Sequence, residues 1–428
     1  MAYIVKGLSQ LDDGRENARI LQEAIDRGGE ILVEDPGYYR LAETIFIGDH
    51  THITFGQGVY FVRMHSPTGY DGNAFINRGA LTREYNTDIS ITGLHLSANG
   101  IEYTAPSPEC DTGKTILGLR AQVSFLYIRN LVLRDIVILD LYSNAYGVQI
   151  SNFENVLVEY IRMEGDKDGI HFGPGKNFVV RHGIFRTSDD PIALNAFDYS
   201  TSNPNPGWIE DGLIEDCREL NDDRDVGFCF FARLLCGGWQ DWFPGMMVQH
   251  SDAAVHNGIL YRVRMKADFS QYRSEVPPTH DRSFAAGADD IVWYRTVDNT
   301  EYTAGCRNIH FKDIYLHKDR TCAFGFTQEK SEYCRSYYPN SPSPLQENIT
   351  FENVHVLGKV KMFAWVNSPL DRVTLKNCRL GDAKFVFEPV KTEGLIYPDS
   401  KIRLENTEVC EDFLEAQDAG LSVEICNI

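Results

Sequence analysis

Three aspartates, Asp168, Asp189 and Asp190, lie in the stretch DKDGIHFGPGKNFVVRHGIFRTSDDPIALNAF with a spacing that can bring them together. Asp168 is followed by Gly169, Ile170, His171 and Phe172, and 22 residues on, Asp190 is followed by Pro191, Ile192, Ala193 and Leu194. One turn earlier the same phase holds Tyr146, Gly147, Val148, Gln149 and Ile150. A fixed period in the low twenties is what a solenoid of short stacked strands produces. Equal phase then means vertical neighbours, about 4.8 Å apart in the backbone. Three carboxyl groups in that space cannot all ionise freely, because like charges at such range raise the pKa of at least one. One residue type then supplies both an acid to protonate a leaving oxygen and a carboxylate to activate water or attack an anomeric carbon. Glycosidic hydrolysis requires that pair. Equally, Asp-Gly and Asp-Asp mark ordinary turns, as at Asp12-Asp13 and Asp289-Asp290, and it is the shared register that favours chemistry here. His171 and Asn195 project from the same coils and are candidates for binding sugar hydroxyls, or for a structural role on the exterior.

Positioning these residues is the task of the rest of the chain. RENARILQEAIDRGG carries Ala18, Leu21, Ala24 and Ile25 at helical spacing and stops at Gly28-Gly29, which predicts one short amphipathic helix. Thereafter short apolar runs alternate with Gly, Pro and Asp, which is strand and turn grammar. From about residue 90 the phrase polar, apolar, polar, apolar recurs in LYIRNLVLRDIVIL, NVLVEYIRM, NFVVRHGIF, NIHFKDIYL and NITFENVHVL. Asn155 and Asn177 are again 22 apart, and Asn tolerates the left-handed backbone of a tight corner. An all-β sandwich also gives many short strands, but not one phase three times running. The expectation is an all-β, right-handed parallel β-helix forming a single domain over residues 1–428. It comprises an N-terminal cap (1–30), coils bearing the acids (31–235), long loop insertions (236–306) and C-terminal coils (307–428). Residues 196–212 and 236–306 read as long irregular loops over the active face. Their Trp208, Trp239, Trp242, Phe243, Tyr272 and Trp293 either wall a sugar cleft or bury the loops.

Composition narrows the partners. A formal charge of −20 argues against nucleic acid and anionic membrane. MAYIVKGLSQ lacks the pattern of a secretory signal and no run of 18 apolar residues exists, so the chain as given is expected to be cytoplasmic. The ten cysteines form no CxxC pair and are expected to be buried free thiols. No cofactor and no metal is called for, and the expected partner is a carbohydrate substrate, with the oligomeric state open.

Two features resemble known families. DDGRENARILQEAID followed by EILVEDPGYYRLAETIFI resembles the opening of the pectate-lyase-like superfamily, whose helix caps the first coil of a right-handed parallel β-helix. DKDGIHF and, one coil on, SDDPIAL resemble the paired signature of the family 28 glycoside hydrolases, the polygalacturonases and their relatives. The resemblance implies an inverting hydrolase in which Asp189 is the general acid while Asp168 and Asp190 hold and activate water. Lys167 stands where that family has Thr, and Asp166 where it has Asn. The family's Gly-His-Gly turn is absent. Its Arg-x-Lys turn, which pairs with a substrate carboxylate, has two candidates, Arg264 with Lys266, and Arg233. Trp239 is a further substrate-binding candidate. These departures imply a sugar other than plain galacturonan, an acidic one included. Two other functions fit the fold: a uronate lyase or epimerase whose acids bind Ca²⁺, and a non-catalytic carbohydrate-binding β-helix.

Overall fold

The alternation seen in the sequence becomes the wall of a solenoid. In strand Gly175–Thr187 the buried residues are Phe178, Val180, Gly183, Phe185 and Thr187, two runs of period two separated by a bend at His182, whose φ is +57°. That left-handed residue turns the chain through a corner, so both runs point inward. The structure, a computed structural model, describes residues 2–105, 115–221, 229–298, 301–416 and 422–427. It is a right-handed parallel β-helix in which 26 strands form one continuous sheet. No helix among the described residues is long and apolar enough to cross a membrane.

Coils stack in strict register. Val148 pairs with Ile170, Ile170 with Ile192, Ile192 with Ala232, Ala232 with Phe324 and Phe324 with Ala364. All six are buried, so this column is part of the interior. Asparagines fill one corner, where Asn130, Asn155, Asn177, Asn308 and Asn348 all have φ between +53° and +61°. Their amides link successive coils: Asn155 donates to Asn130 at 3.0 Å and Asn177 to Asn155 at 3.3 Å. The helix Arg15–Ile25 covers the first coil with Ala18, Leu21, Ala24 and Ile25, the residues at helical spacing. The nine cysteines among the described residues are free, as buried or half-buried thiols.

One expectation is corrected. The segment read as loop from 236 to 306 carries a small sheet of its own. Strand Ala232–Gly238 still belongs to the coil, and after it Gln240–Asp241, Ala253–His256, Ile259–Val263, Phe284–Ala286 and Val292–Asp298 form five strands, with a hairpin of Met246–Val248 and Tyr272–Ser274 beside them. The strands are only two to seven residues long and mainly antiparallel, so they leave no 22-residue period to detect. Met246, Val248, Tyr261, Val263, Ile291 and Trp293 give this sheet a separate apolar core. Trp293 therefore holds the insertion together and walls no cleft.

Towards the C-terminus the interior becomes aromatic. Phe324 stacks between coils against Phe351 and Phe363, with ring centroids 4.5 and 5.1 Å away, and is fully buried. Truncating such a ring removes its burial and leaves a cavity. Phe324→Ala is expected to lower the unfolding free energy by about 3–5 kcal/mol, measured by urea denaturation; a loss below about 1 kcal/mol would mean that the stack relaxes into the gap.

Candidate active site

The register stacks chemistry as well as core. Asp168 and Asp190 each stand two residues before a paired isoleucine, Ile170 and Ile192, and the Gly169 N–H donates to the Asp190 carbonyl at 3.0 Å. Glycine follows Asp168 because a Cβ there would lie 2.6 Å from the Pro191 carbonyl oxygen of the next coil. One position earlier, Lys167, Asp189 and Cys229 share a second column. Its lysine ammonium sits directly on the Asp189 carboxylate and 3.8 Å from Asp168. Two positions after Asp168 and Asp190 come the inward isoleucines, and three after them the outward column of His171, Ala193 and Arg233. With only a methyl group between them, His171 and Arg233 both bend over the acids.

Each carboxyl then has its own surroundings. His171 places Nδ1 3.0 Å from Asp168 Oδ2, and Tyr146 of the preceding coil stacks on the imidazole at 4.5 Å. Burial works to raise Asp168, but the Lys167 charge, the His171 hydrogen bond and Arg233 outweigh it and hold this carboxyl at about 2. Asp190 lies in the opposite balance. Burial pushes it up, Arg233 at 3.4 Å only partly offsets this, and the charge on Asp168 adds to it, so Asp190 is raised to about 6 although the Phe230 N–H donates to its Oδ1 at 2.8 Å. Asp189 keeps a fifth of its side chain exposed, against 4% for Asp168 and Asp190. Burial pushes the Cys229 thiol up to about 12, with the Asp190 charge adding to it, so it stays neutral beside the acids.

Backbone supports come from buried cations. Lys318 Nζ donates to the Thr187 carbonyl at 2.6 Å, and Arg320, paired with Glu219, donates to the Cys229 carbonyl at 2.9 Å. Asp189, Asp190 and Cys229 bring possible ligand atoms within 4.8 Å of one another. Both carboxylates of that trio are already met by protein cations, Lys167 and Arg233.

The structure thus gathers Asp168, Asp189, Asp190, His171, Asn195 and Arg233. Asn195 is fully buried and accepts from Arg233 Nε at 3.1 Å, which makes it part of the floor of the site. Arg264 and Lys266 follow strand Ile259–Val263 of the inserted sheet; Lys266 is exposed and pairs with Asp268 at 2.9 Å. Neither reaches the acids through a hydrogen bond or ion pair among the described residues. Trp239, offered as a sugar platform, is 1% exposed and packs on Phe197 at 5.7 Å. It closes the interior where the coil leaves for the insertion, so no sugar can stack on it. Lys167 stood out in the sequence only as a departure from the family pattern, although its spacing of 22 to Asp189 carries the same signal as the acids. Asp198 has no such signal, because the loop that bears it follows no period.

With the site defined, comparison with known proteins bears on the fold. No family model and no curated protein sequence matches the chain. Among solved structures, a polygalacturonase from Erwinia carotovora ssp. carotovora is similar over 98% of this chain and 96% of its own, with a TM-score of 0.52 at 9% identity. An endo-xylogalacturonan hydrolase from Aspergillus tubingensis covers 100% of this chain and 99% of its own at a TM-score of 0.45 and 9% identity. The adhesin PfbA of Streptococcus pneumoniae covers 100% of both at 0.43 and 16%. The chain therefore has the right-handed β-helix fold of the polygalacturonases, as the resemblance implied.

The opposed shifts of Asp190 and Asp168 give opposite pH signatures in stability. A raised carboxyl contributes stability that is present below its unfolded value near 3.8 and lost as pH rises through about 6. A depressed one contributes above 3.8 and is lost as pH falls through about 2. Relative to the parent, Asp190→Asn is expected to gain about 3 kcal/mol between pH 3 and pH 8. Asp168→Asn is expected to lose ground between pH 2 and pH 5. Urea unfolding at each pH measures both, and parallel pH profiles for parent and variants would show that neither carboxyl is perturbed.

Proposed function

We propose that this protein is a glycoside hydrolase that cleaves a glycosidic bond in an oligo- or polysaccharide using the Asp168, Asp189 and Asp190 cluster. The observation that carries this is the stack itself. Two buried carboxyls at equal phase are shifted in opposite directions, and a third, partly exposed, is held against an ammonium. Near neutral pH one member can carry a proton while its neighbours are anionic, which is the division of labour that glycosidic cleavage uses. We assign the proton to Asp190, in place of Asp189, because burial raises Asp190 while the Lys167 ammonium sits on the Asp189 carboxylate. In the bond-breaking step the Asp190 proton passes to the leaving oxygen as the C1–O bond opens. Water attacks C1, and Asp168 or Asp189 takes its proton, so that one water is consumed and each fragment ends in a hydroxyl. A single displacement of this kind inverts C1, in line with the family resemblance.

An acidic sugar is compatible with this site. Lys167 and Arg233, each about a fifth exposed, are the cations that could meet a uronate carboxylate, beside the acids Asp168, Asp189, Asp198 and Glu329.

Aryl glycosides and uronide oligosaccharides, tested with EDTA and ultraviolet monitoring, check the assignment. The expected result is EDTA-resistant hydrolysis without new absorbance, and inverted product by anomeric NMR. Asp190→Asn should lose about 10²–10⁴-fold in kcat/KM on substrates with poor leaving groups and less than about tenfold on dinitrophenyl glycosides, which need no proton. The reverse pattern in Asp189→Asn would return the acid role to Asp189. Calcium-dependent activity that generates absorbance would replace hydrolysis by elimination.

A further inference from the structure

The segment Phe197–Asn203 leaves the coil directly after the acids and is folded back under them by hydrogen bonds. Asp198, at its start, is fully buried. Its Oδ2 accepts from Asn195 Nδ2 at 2.7 Å, from Ser202 Oγ at 2.9 Å and from Arg233 Nη2 at 3.2 Å, and its Oδ1 accepts from the Tyr199 N–H at 2.8 Å. The other edge of the same guanidinium lies 3.4 Å from Asp190. A single cation is thus placed between two buried carboxylates. Asp198 has the larger share, since it is nearer and is held by three further donors.

We infer that Asp198 is a positioning residue that sets the proton affinity of Asp190 by taking most of the charge of Arg233. This rests on the hydrolase function proposed above. Were Arg233 free of Asp198, its full field would fall on Asp190 and favour the carboxylate. Asp190 would then give up its proton at lower pH and no longer serve as an acid near neutrality. Other groups act as well, with Asp168 raising Asp190, Lys167 lowering it and Glu329 also facing Arg233, but none of them hydrogen-bonds the Arg233 guanidinium as Asp198 does. Lys167 is engaged by Asp189, His171 by Asp168, and the Cys229 and Cys322 thiols are pushed up to about 12 by burial. Arg120 stacks on Tyr146 at 4.8 Å, donates to the Thr201 carbonyl and interacts with Asp168 and Asp198.

Carbon-13 NMR of carboxyl-labelled aspartate, with the Asp190 signal assigned by its loss in Asp190→Asn, tests this without requiring turnover. In Asp198→Asn the Asp190 midpoint is expected to fall by about one pH unit, and in Arg233→Gln to rise. The alkaline limb of kcat/KM should move down with it in Asp198→Asn, giving about tenfold less activity above the limb and near-parental activity on the acid side. A residue that only supports the fold would lower the whole profile and leave the limb in place. An unmoved Asp190 midpoint in Asp198→Asn overturns the inference; if that variant does not fold, an unmoved or lowered midpoint in Arg233→Gln does so. A parent chain that hydrolyses no sugar would overturn the proposed function instead, and the NMR comparison would still decide the role of Asp198.

Discussion

Parallel pairing in strict register is the constraint on which the rest depends. It forces side chains of equal phase into one column, whatever their charge. In the interior that produces continuous aliphatic and aromatic stacks. At the corner before the paired isoleucines it produces Asp168 over Asp190 and Lys167 over Asp189. Two carboxylates stacked in low dielectric repel strongly, and the ladder gives them no way to slide apart. The conflict is met by cations at set positions, Lys167 and Arg233, and by raising the pKa of Asp190.

The sequence made the periodic part of this legible. Asp168, Asp190, His171 and the asparagine corner all announce themselves by a spacing of 22, and the fold follows from that number and from alternation within each strand. Where the period fails, so does the forecast. The insertion folds through antiparallel neighbours that are local and short, so it looked like loop. Trp239 looked like a platform because it lies among the aromatics of a stretch read as loop, and only the structure shows the chain turning it inward against Phe197. Asp198 was hidden for the opposite reason, since a lone acid in a loop rich in Ser and Asn reads as solvated. Its burial depends on Arg233, which follows 35 residues later, and on Arg262 beyond that.

Charge balance, more than apolar area, distinguishes this solenoid from a plain scaffold of the same fold. The coils elsewhere turn their ion pairs outward, as Arg129 does to Glu154 with half its side chain exposed. At the site, Arg262 and Arg320 are taken inside and Arg233 is mostly covered, and all three are matched to carboxylates or carbonyl oxygens. Buried pairs of this kind give little net stability but leave few alternative arrangements. That is the rigidity needed to hold two like groups at different proton affinities.

Arg262 gives the assembly a sequence in time. It belongs to the inserted sheet, is fully buried, and donates to the carbonyl oxygens of Asp198, Asn203 and Ser251. The Asp198 segment takes a further tie from that arginine, 64 residues further along the chain. During synthesis the acid coils therefore leave the ribosome before that clamp, and before the coil whose Lys318 and Arg320 donate to the Thr187 and Cys229 carbonyl oxygens. The floor of the site is finished by chain that emerges after its acids.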